Sequence, residues 1–292
     1  MKVSGATQVF ALLGQPVSQS LSPALQNGWI KAHGLDAIYV ALPVATEGFD
    51  AALQGLWAAG LQGGNVTSPF KEVAAAHVHK GSATATAIGS VNCLRRSAQG
   101  FEGESTDGAG LIADLDARAA GWRCLSGPVT ILGAGGAARA ILTALVQAGK
   151  TQVRIINRNQ ARAQACAALV PEANVTCHGW EDQQEALAGA ALVVHTTRAG
   201  LNGVAPLTLD LATTQPDCLV YETIYAPRET PLLQSARAQG RRGLDGLGML
   251  VGQGALAFEY WFGTRPDFMA GLQALEAHLA APSLSSSAGG VL

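Results

Sequence analysis

A chain of 292 residues is long enough for two domains of ordinary size, each with its own core. Hydrophobic residues make up 48% and charged residues 14%, which predicts a compact globular protein. The formal net charge is -2 and no basic stripe runs along any helical pattern, which argues against nucleic acid as a partner. No apolar run approaches the roughly 20 residues of a membrane span. The stretch from Met1 to Thr7 is short and mixed rather than a secretory leader, so the cytoplasm is the expected compartment. Cys93, Cys124, Cys166, Cys177 and Cys218 are scattered without Cys-x-x-Cys spacing and read as reduced packing thiols. His77 and His79 lie close together with no third ligand nearby, so no metal site is expected.

Residues 1–107 alternate strand-like and helix-like segments, the pattern of a small α/β domain. Val9 to Leu13 reads as a strand ending at Gly14. In the loop that follows, Ser22 and Pro23 have the chemistry of an N-cap with proline at the first helical position, a cap worth about 1 kcal/mol. Ser20 has no capping duty. Two hydroxyls beside a helix N-terminus suit a carboxylate or polyol ligand. Ile38 to Leu42 predicts a second strand and Phe49 to Ala59 a helix. Asn65 and Thr67 then alternate with Val66 as on a strand edge, so both point to one face. Pro69 stops that strand and fixes the turn carrying Lys71, which taken alone reads as a solvated lysine. Ile88 to Leu94 reads as a strand carrying the Asn92 amide. After a turn at Gln99-Gly100, Phe101 to Thr106 returns toward a helix through Leu111, Ile112 and Leu115. Asp107, at its start, fits either a helix cap or a catalytic carboxylate.

A second domain is expected over 108–245. The β-branched run Val129-Thr130-Ile131 feeds the turn Gly133-Ala134-Gly135-Gly136-Ala137, and an Ala-rich helix follows to Ala148. Strand, glycine turn and helix in that order suit a dinucleotide pyrophosphate. Gly133 permits the turn, Gly135 lets backbone N–H groups approach the phosphates, and Ala138 allows close helix–strand packing. The helix N-terminus supplies unpaired donors. By itself the pattern also fits a purely structural turn. The next strand, Val153 to Ile156, ends at Asn157-Arg158-Asn159-Gln160-Ala161-Arg162. An NAD site usually carries a carboxylate there, roughly 20 residues past the first glycine. This chain carries Arg158 and Arg162 instead, four apart and on one face if a helix begins there, which favours the 2′-phosphate of NADP over NAD. Strands follow at Leu192 to Val194 and Leu219 to Tyr221. The segment His195-Thr196-Thr197 would close one of them at the ligand-binding edge of the sheet. A helix is expected over Pro231 to Gln239, another from Met249 to Tyr260 with Gln253 as its early polar residue, and a last one over Asp267 to His278. The Ser- and Gly-rich stretch Pro282 to Leu292 reads as disordered.

These motifs, in this order and spacing, resemble the shikimate dehydrogenase family over nearly the whole chain. They are Gly14-x-Pro16 through Ser20-Leu21-Ser22-Pro23, Asn65-Val66-Thr67-x-Pro69-x-Lys71, Gly89-x-Val91-Asn92 and Thr106-Asp107-Gly108. They continue with the glycine turn through Arg139, Asn157-Arg158, Tyr225-x-Pro227 and Gly246 to Gln253. The resemblance implies an α/β fold of two domains, a substrate domain (1–107 plus 246–292) and a Rossmann-like, doubly wound NADP-binding domain (108–245). It implies C-terminal helices packing back on the first domain. Ser20, Ser22, Asn65, Thr67, Asn92, Tyr225 and Gln253 would surround a hydroxylated cyclohexene carboxylate, with Lys71 and Asp107 as the catalytic pair. Gly133, Ala134, Gly135, Gly136, Ala137, Asn157, Arg158, Arg162, Thr197, Gly246 and Met249 would hold the cofactor. The implied reaction is NADP-dependent interconversion of 3-dehydroshikimate and shikimate by a monomer or homodimer.

The chain departs from the family pattern at several places. The family usually carries His where Gln26 stands, Thr at Cys93 and Asn at Ser105. Asn-Ala is common where His195-Thr196 stands, Met at Leu201 and Asp at Glu222. These leave open a paralogue acting on quinate or an aminated ring acid. A regulatory module that senses cofactor without turnover is the rival from another class, and the retained Lys71–Asp107 pair speaks against it.

Overall fold

The computed structural model describes residues 3–201 and 203–281, so the expected disorder of 282–292 lies outside the described residues. The first half builds a mixed sheet. Its elements are β1 (Gln8–Gly14), α1 (Ser22–Ala32), β2 (Ala37–Pro43), α2 (Phe49–Ala58), β3 (Gly63–Val66), α3 (Lys71–His77), β4 (Lys80–Gly81), α4 (Ala83–Ile88), β5 (Cys93–Ser97) and β6 (Gly100–Glu104). The strand order is β2-β1-β3-β5-β6-β4, parallel around β1 and antiparallel from β3 through β6. β1 is buried continuously from Phe10 to Gly14, as a strand covered on both faces must be.

Two local expectations are corrected. Ile88 to Leu94 is not one strand: Ser82 caps α4 by accepting the Ala85 N–H at 3.0 Å, and Gly89 ends it at φ +61°. A short Ala/Thr/Ile run carries no decisive period, and the cap and the left-handed glycine settle it as helix. Ser22 is not a side-chain cap either. Helix α1 starts at Ser22 itself, without a capping bond from its flanking residue, and the Ser20 hydroxyl accepts the Ser22 N–H at 3.2 Å.

The second half builds a six-stranded parallel sheet. Its elements are α5 (Asp107–Arg118), β7 (Val129–Leu132), α6 (Gly136–Gln147), β8 (Gln152–Ile156), α7 (Gln160–Ala167), β9 (Asn174–His178), α8 (Gln183–Leu187), β10 (Leu192–His195), β11 (Leu219–Glu222), α9 (Pro231–Ala238) and β12 (Arg242–Leu244). The order β12-β11-β10-β7-β8-β9 is doubly wound, and its direction reverses between β7 and β10. A crevice opens beyond the carboxyl ends of the strands at such a reversal. The sequence pattern does not single out the edge strands β9 and β12, which are short and partly exposed.

Two last helices, α10 (Leu247–Phe262) and α11 (Phe268–Ala280), return to the first sheet. Leu247, Val251, Ala255, Phe258, Leu272 and Leu275 join Phe10, Trp29, Ile30 and Tyr39 in one apolar core. Helix α10 begins two residues before the expected Met249. It crosses α5 at backbone contact: a Cβ on Gly110 would stand 2.6 Å from the Gln253 nitrogen, and one on Gly252 would stand 2.7 Å from the Gly110 carbonyl oxygen. Only glycine allows that approach, which sets Gln253 beside the start of α5.

Candidate active site

A cleft of about 1340 Å³ lies between the carboxyl ends of the two sheets. Every residue singled out above as catalytic, substrate-binding or cofactor-binding lines it. A smaller hollow of about 970 Å³ on another face of α5 holds none of them.

The wall contributed by the first sheet is a network of side chains. Lys71 opens α3 and Asp107 opens α5, and Lys71 Nζ donates to Asp107 Oδ2 at 2.5 Å. The lysine side chain is 17% exposed and the carboxylate 5%, so this is a sheltered pair rather than the solvated lysine that Lys71 suggests alone. Asp107 is the first residue inside α5, not its cap, and its charge sits at the positive end of that helix. Its other oxygen, Oδ1, accepts from Asn92 Nδ2 at 2.9 Å. Asn92 also reaches Gln253 Oε1 at 3.3 Å and receives the Thr106 N–H at 2.7 Å. Deeper in, Asn65 donates to the Asn92 carbonyl at 3.1 Å and accepts from the Tyr39 hydroxyl at 2.8 Å. Burial raises the Tyr39 phenol well above its ordinary value, with Cys93 adding to the shift, so it stays a donor. Burial likewise raises Tyr225. The nearby Ser20 side chain and Leu21 backbone oppose that shift.

The opposite wall is mostly backbone. Gly133 sits at φ +114°, and a Cβ there would meet Thr196 Oγ1 at 2.5 Å. Gly135 precedes α6, and a Cβ on it would meet nothing within 4 Å. The first N–H groups of α6 have no side-chain cap and face the cleft. An uncapped helix N-terminus with open space before it fits a pyrophosphate. Lys71 approaches this turn from across the cleft: its Cβ would be 3.1 Å from a Cβ added to Gly136. The expectation that Arg158 and Arg162 share a helix face is corrected. Helix α7 starts at Gln160, so Arg158 lies in the preceding loop, exposed and outside the ion pairs found among the described residues. Arg162 reaches across the cleft mouth and pairs with Glu72, the residue after Lys71. No local pattern announces that long-range pair. Trp180, just past β9, also lines the cleft; an aromatic at the carboxyl edge of the sheet is the one available signal.

Comparison with known proteins agrees with this geometry. The shikimate dehydrogenase substrate binding domain matches residues 12–94, the shikimate / quinate 5-dehydrogenase family 118–216, and the shikimate 5'-dehydrogenase C-terminal domain 246–276. The chain is 44% identical over 269 residues to a shikimate dehydrogenase (NADP(+)) of Rhodospirillum rubrum, covering 91% of this chain and 95% of the other. It belongs to the shikimate dehydrogenase family. Among solved structures, the shikimate 5-dehydrogenase of Thermus thermophilus in complex with NADP(H) and shikimate superimposes with a TM-score of 0.81 at 34% identity, covering 93% of this chain and 99% of that one. A quinate dehydrogenase of Corynebacterium glutamicum in complex with NAD reaches a TM-score of 0.81 at 26% identity, covering 93% and 99%.

Within the shikimate dehydrogenase family, the departures noted above now have places. Cys93 is fully buried in β5 and outside the cleft lining, where burial raises its thiol well above the ordinary range. Gln26 is buried against α10, donating to the Gly254 carbonyl at 3.0 Å. Leu201 faces the cleft. His195 and Glu222 are buried together behind it. Among the described residues no group of His, Cys, Asp and Glu is arranged to hold a metal, and no helix is long and apolar enough to cross a membrane.

Proposed function

We propose that this chain is an NADP-dependent dehydrogenase interconverting 3-dehydroshikimate and shikimate. Lys71 is its proton donor and acceptor, and Asp107 is the partner that holds it. The observation carrying this reading is the sheltered Lys71–Asp107 pair at 2.5 Å, set in the cleft beside the glycine turn. NADPH, when bound, supplies the hydride that reduces the ring ketone. Negative charge then grows on the carbonyl oxygen, and a cation beside it stabilises that charge. Lys71 Nζ gives its proton to the oxygen and recovers one in the reverse direction. Asp107 orients the ammonium through Oδ2, while Asn92 fixes the carboxylate through Oδ1. Ser20, Ser22, Asn65, Thr67, Asn92, Tyr225 and Gln253 receive the carboxylate and hydroxyls of the ring acid. Gly133 to Ala137, Thr197, Gly246 and Met249 receive the dinucleotide, with Asn157, Arg158 and Arg162 at its adenosine end. The substrate unit is 1–107 with 246–292, and the dinucleotide unit is 108–245. The enzyme works on small molecules in the cytoplasm, as a monomer or homodimer, with neither nucleic acid nor membrane as partner.

The full site set, the family relatives named NADP-dependent, and the absence of a carboxylate at Asn157-Arg158 support NADP. Quinate is the second reading, favoured by the likeness to a quinate dehydrogenase. Absorbance at the nicotinamide band, with shikimate, quinate and aminated analogues against NADP and NAD, separates these. Fastest turnover is expected for shikimate with NADP. Silence with every pair would leave a cofactor-sensing module.

A further inference from the structure

At the carboxyl end of the second sheet stand two buried ionisable side chains that this chemistry does not use. His195 and Glu222 are register partners on β10 and β11, at 0% and 1% exposure. The imidazole Nδ1 lies 2.9 Å from both carboxylate oxygens. Glu222 also accepts the Ile224 N–H at 3.0 Å and the Thr230 hydroxyl at 3.3 Å. On the other side of the ring, Nε2 lies 2.5 Å from Thr197 Oγ1. Thr197 lines the cleft and His195 does not.

We propose that His195, held by Glu222, is a positioning residue for the nicotinamide half of the cofactor and acts through the Thr197 hydroxyl. The proposal rests on the NADP reading above. In the neutral ring, a carboxylate facing Nδ1 keeps the proton there, and Nε2 turns its lone pair to Thr197. The Thr197 hydroxyl donates into that lone pair and accepts the Ala199 N–H at 3.2 Å, which leaves it one acceptor position. That position takes a neutral hydrogen-bond donor. Strand order says which part of the cofactor offers it. The pyrophosphate belongs to the α6 N-terminus above β7, and the adenosine end belongs beside Asn157 and Arg158 above β8. Thr197 follows β10, on the opposite side of β7, and so faces the nicotinamide half. Donors available there are the ribose hydroxyls and the carboxamide N–H. A hydroxyl fixed before its ligand arrives spends less rotational freedom on binding it. Neighbouring Thr196 is fixed in the same way, its hydroxyl donating to the Leu132 carbonyl at 2.7 Å.

The test is a double-mutant cycle of His195→Asn and Thr197→Val in the full chain, read as NADPH dissociation constants by fluorescence and shikimate affinity by calorimetry. Each single variant is expected to weaken NADPH about threefold to tenfold, the size of one misdirected neutral hydrogen bond. The double variant is expected to bind no worse than Thr197→Val alone, and Thr197→Ser to bind like the parent. Shikimate affinity is expected to stay unchanged in all of them. Multiplying losses, an equal loss of shikimate affinity, or parent-like NADPH binding by either single variant would overturn the proposal. If His195→Asn does not fold, Thr197→Val still decides, because a relay ending in that hydroxyl must fail without it. With the 3-acetylpyridine analogue of NADP, which lacks the carboxamide N–H, disappearance of the Thr197→Val effect assigns the donor to the carboxamide and its persistence to the ribose. A parent chain that binds no NADPH would instead refute the cofactor reading itself.

Discussion

The two walls of the cleft are built from different chemistry. The first-sheet wall is a chain of side chains already bonded to one another, from Lys71 through Asp107 and Asn92 to Gln253 and Asn65. The second-sheet wall offers backbone N–H groups around Gly133 to Ala137, with Arg158, Arg162 and Arg198 as its charged side chains. Fixed side chains discriminate among substrates by whether each polar group finds its partner, whereas backbone donors take any pyrophosphate. Substitutions on the first wall should therefore strike chemistry and ring specificity. Those on the second should shift cofactor affinity and the choice between NADP and NAD.

The largest expected effect is on the first wall. Lys71→Ala should lower kcat by about 10²–10⁴-fold while shikimate binding by calorimetry persists, since it removes proton transfer and leaves the other ring contacts. Asp107→Asn keeps the shape but loses the charge that holds the ammonium, and should lower kcat by about 10²-fold. Near-normal turnover in Lys71→Ala would end the assignment of roles to this wall. Next comes the joint that places Gln253. Gly110→Ala drives a Cβ to within 2.6 Å of the Gln253 nitrogen, so α5 and α10 must separate. A destabilisation of about 1–3 kcal/mol by calorimetric melting is expected, with KM for shikimate raised and KM for NADP unaffected. Equal changes in both constants would show that the walls do not respond separately.

Much of this division is legible in the residues, and its exceptions have physical causes. The glycine turn, the strand before it and the helix after it declare themselves locally, because a tight turn and a phosphate-facing backbone restrict the side chains allowed. The pairing of Lys71 with Asp107 does not. Each residue fits a bland local role, and their meeting depends on β3 and β6 lying in one sheet, which the family resemblance implies and local pattern does not. The strand expected over 88–94 is misread because Ile88 closes a six-residue helix that Gly89 ends, and the ladder starts only at Cys93. The Arg162–Glu72 pair joins opposite sides of the cleft mouth across 90 positions of sequence, beyond any sequence spacing rule.

That pair yields a prediction for the second wall. Arg158 is exposed and without an ion-pair partner among the described residues, whereas Arg162 must leave Glu72 to meet a 2′-phosphate. Arg158→Ala should raise KM for NADP about tenfold and leave NAD unchanged. Arg162→Ala should cost less, about threefold, because a half-exposed pair already competes for it. Glu72→Gln should tighten NADP about threefold by releasing Arg162. Loosening by Glu72→Gln would mean that the pair organises the phosphate site rather than competing with it.

The smallest effect compares the walls through their buried thiols. Burial raises Cys93 well above the ordinary thiol range in the first sheet, and Cys166 and Cys218, around the second sheet, to about 11. A buried thiol of this kind reacts only when its surroundings open. Exposed Cys124 should therefore be labelled at once by a thiol reagent near pH 8, and the three buried ones slowly. If the walls are separate recognition units, shikimate should slow Cys93 more than Cys166 and Cys218, and NADPH should do the reverse, when labelling is followed by peptide mass spectrometry. Uniform slowing by either ligand would mean that the sheets open together, with α5 and α10 acting as one body between them rather than as a joint.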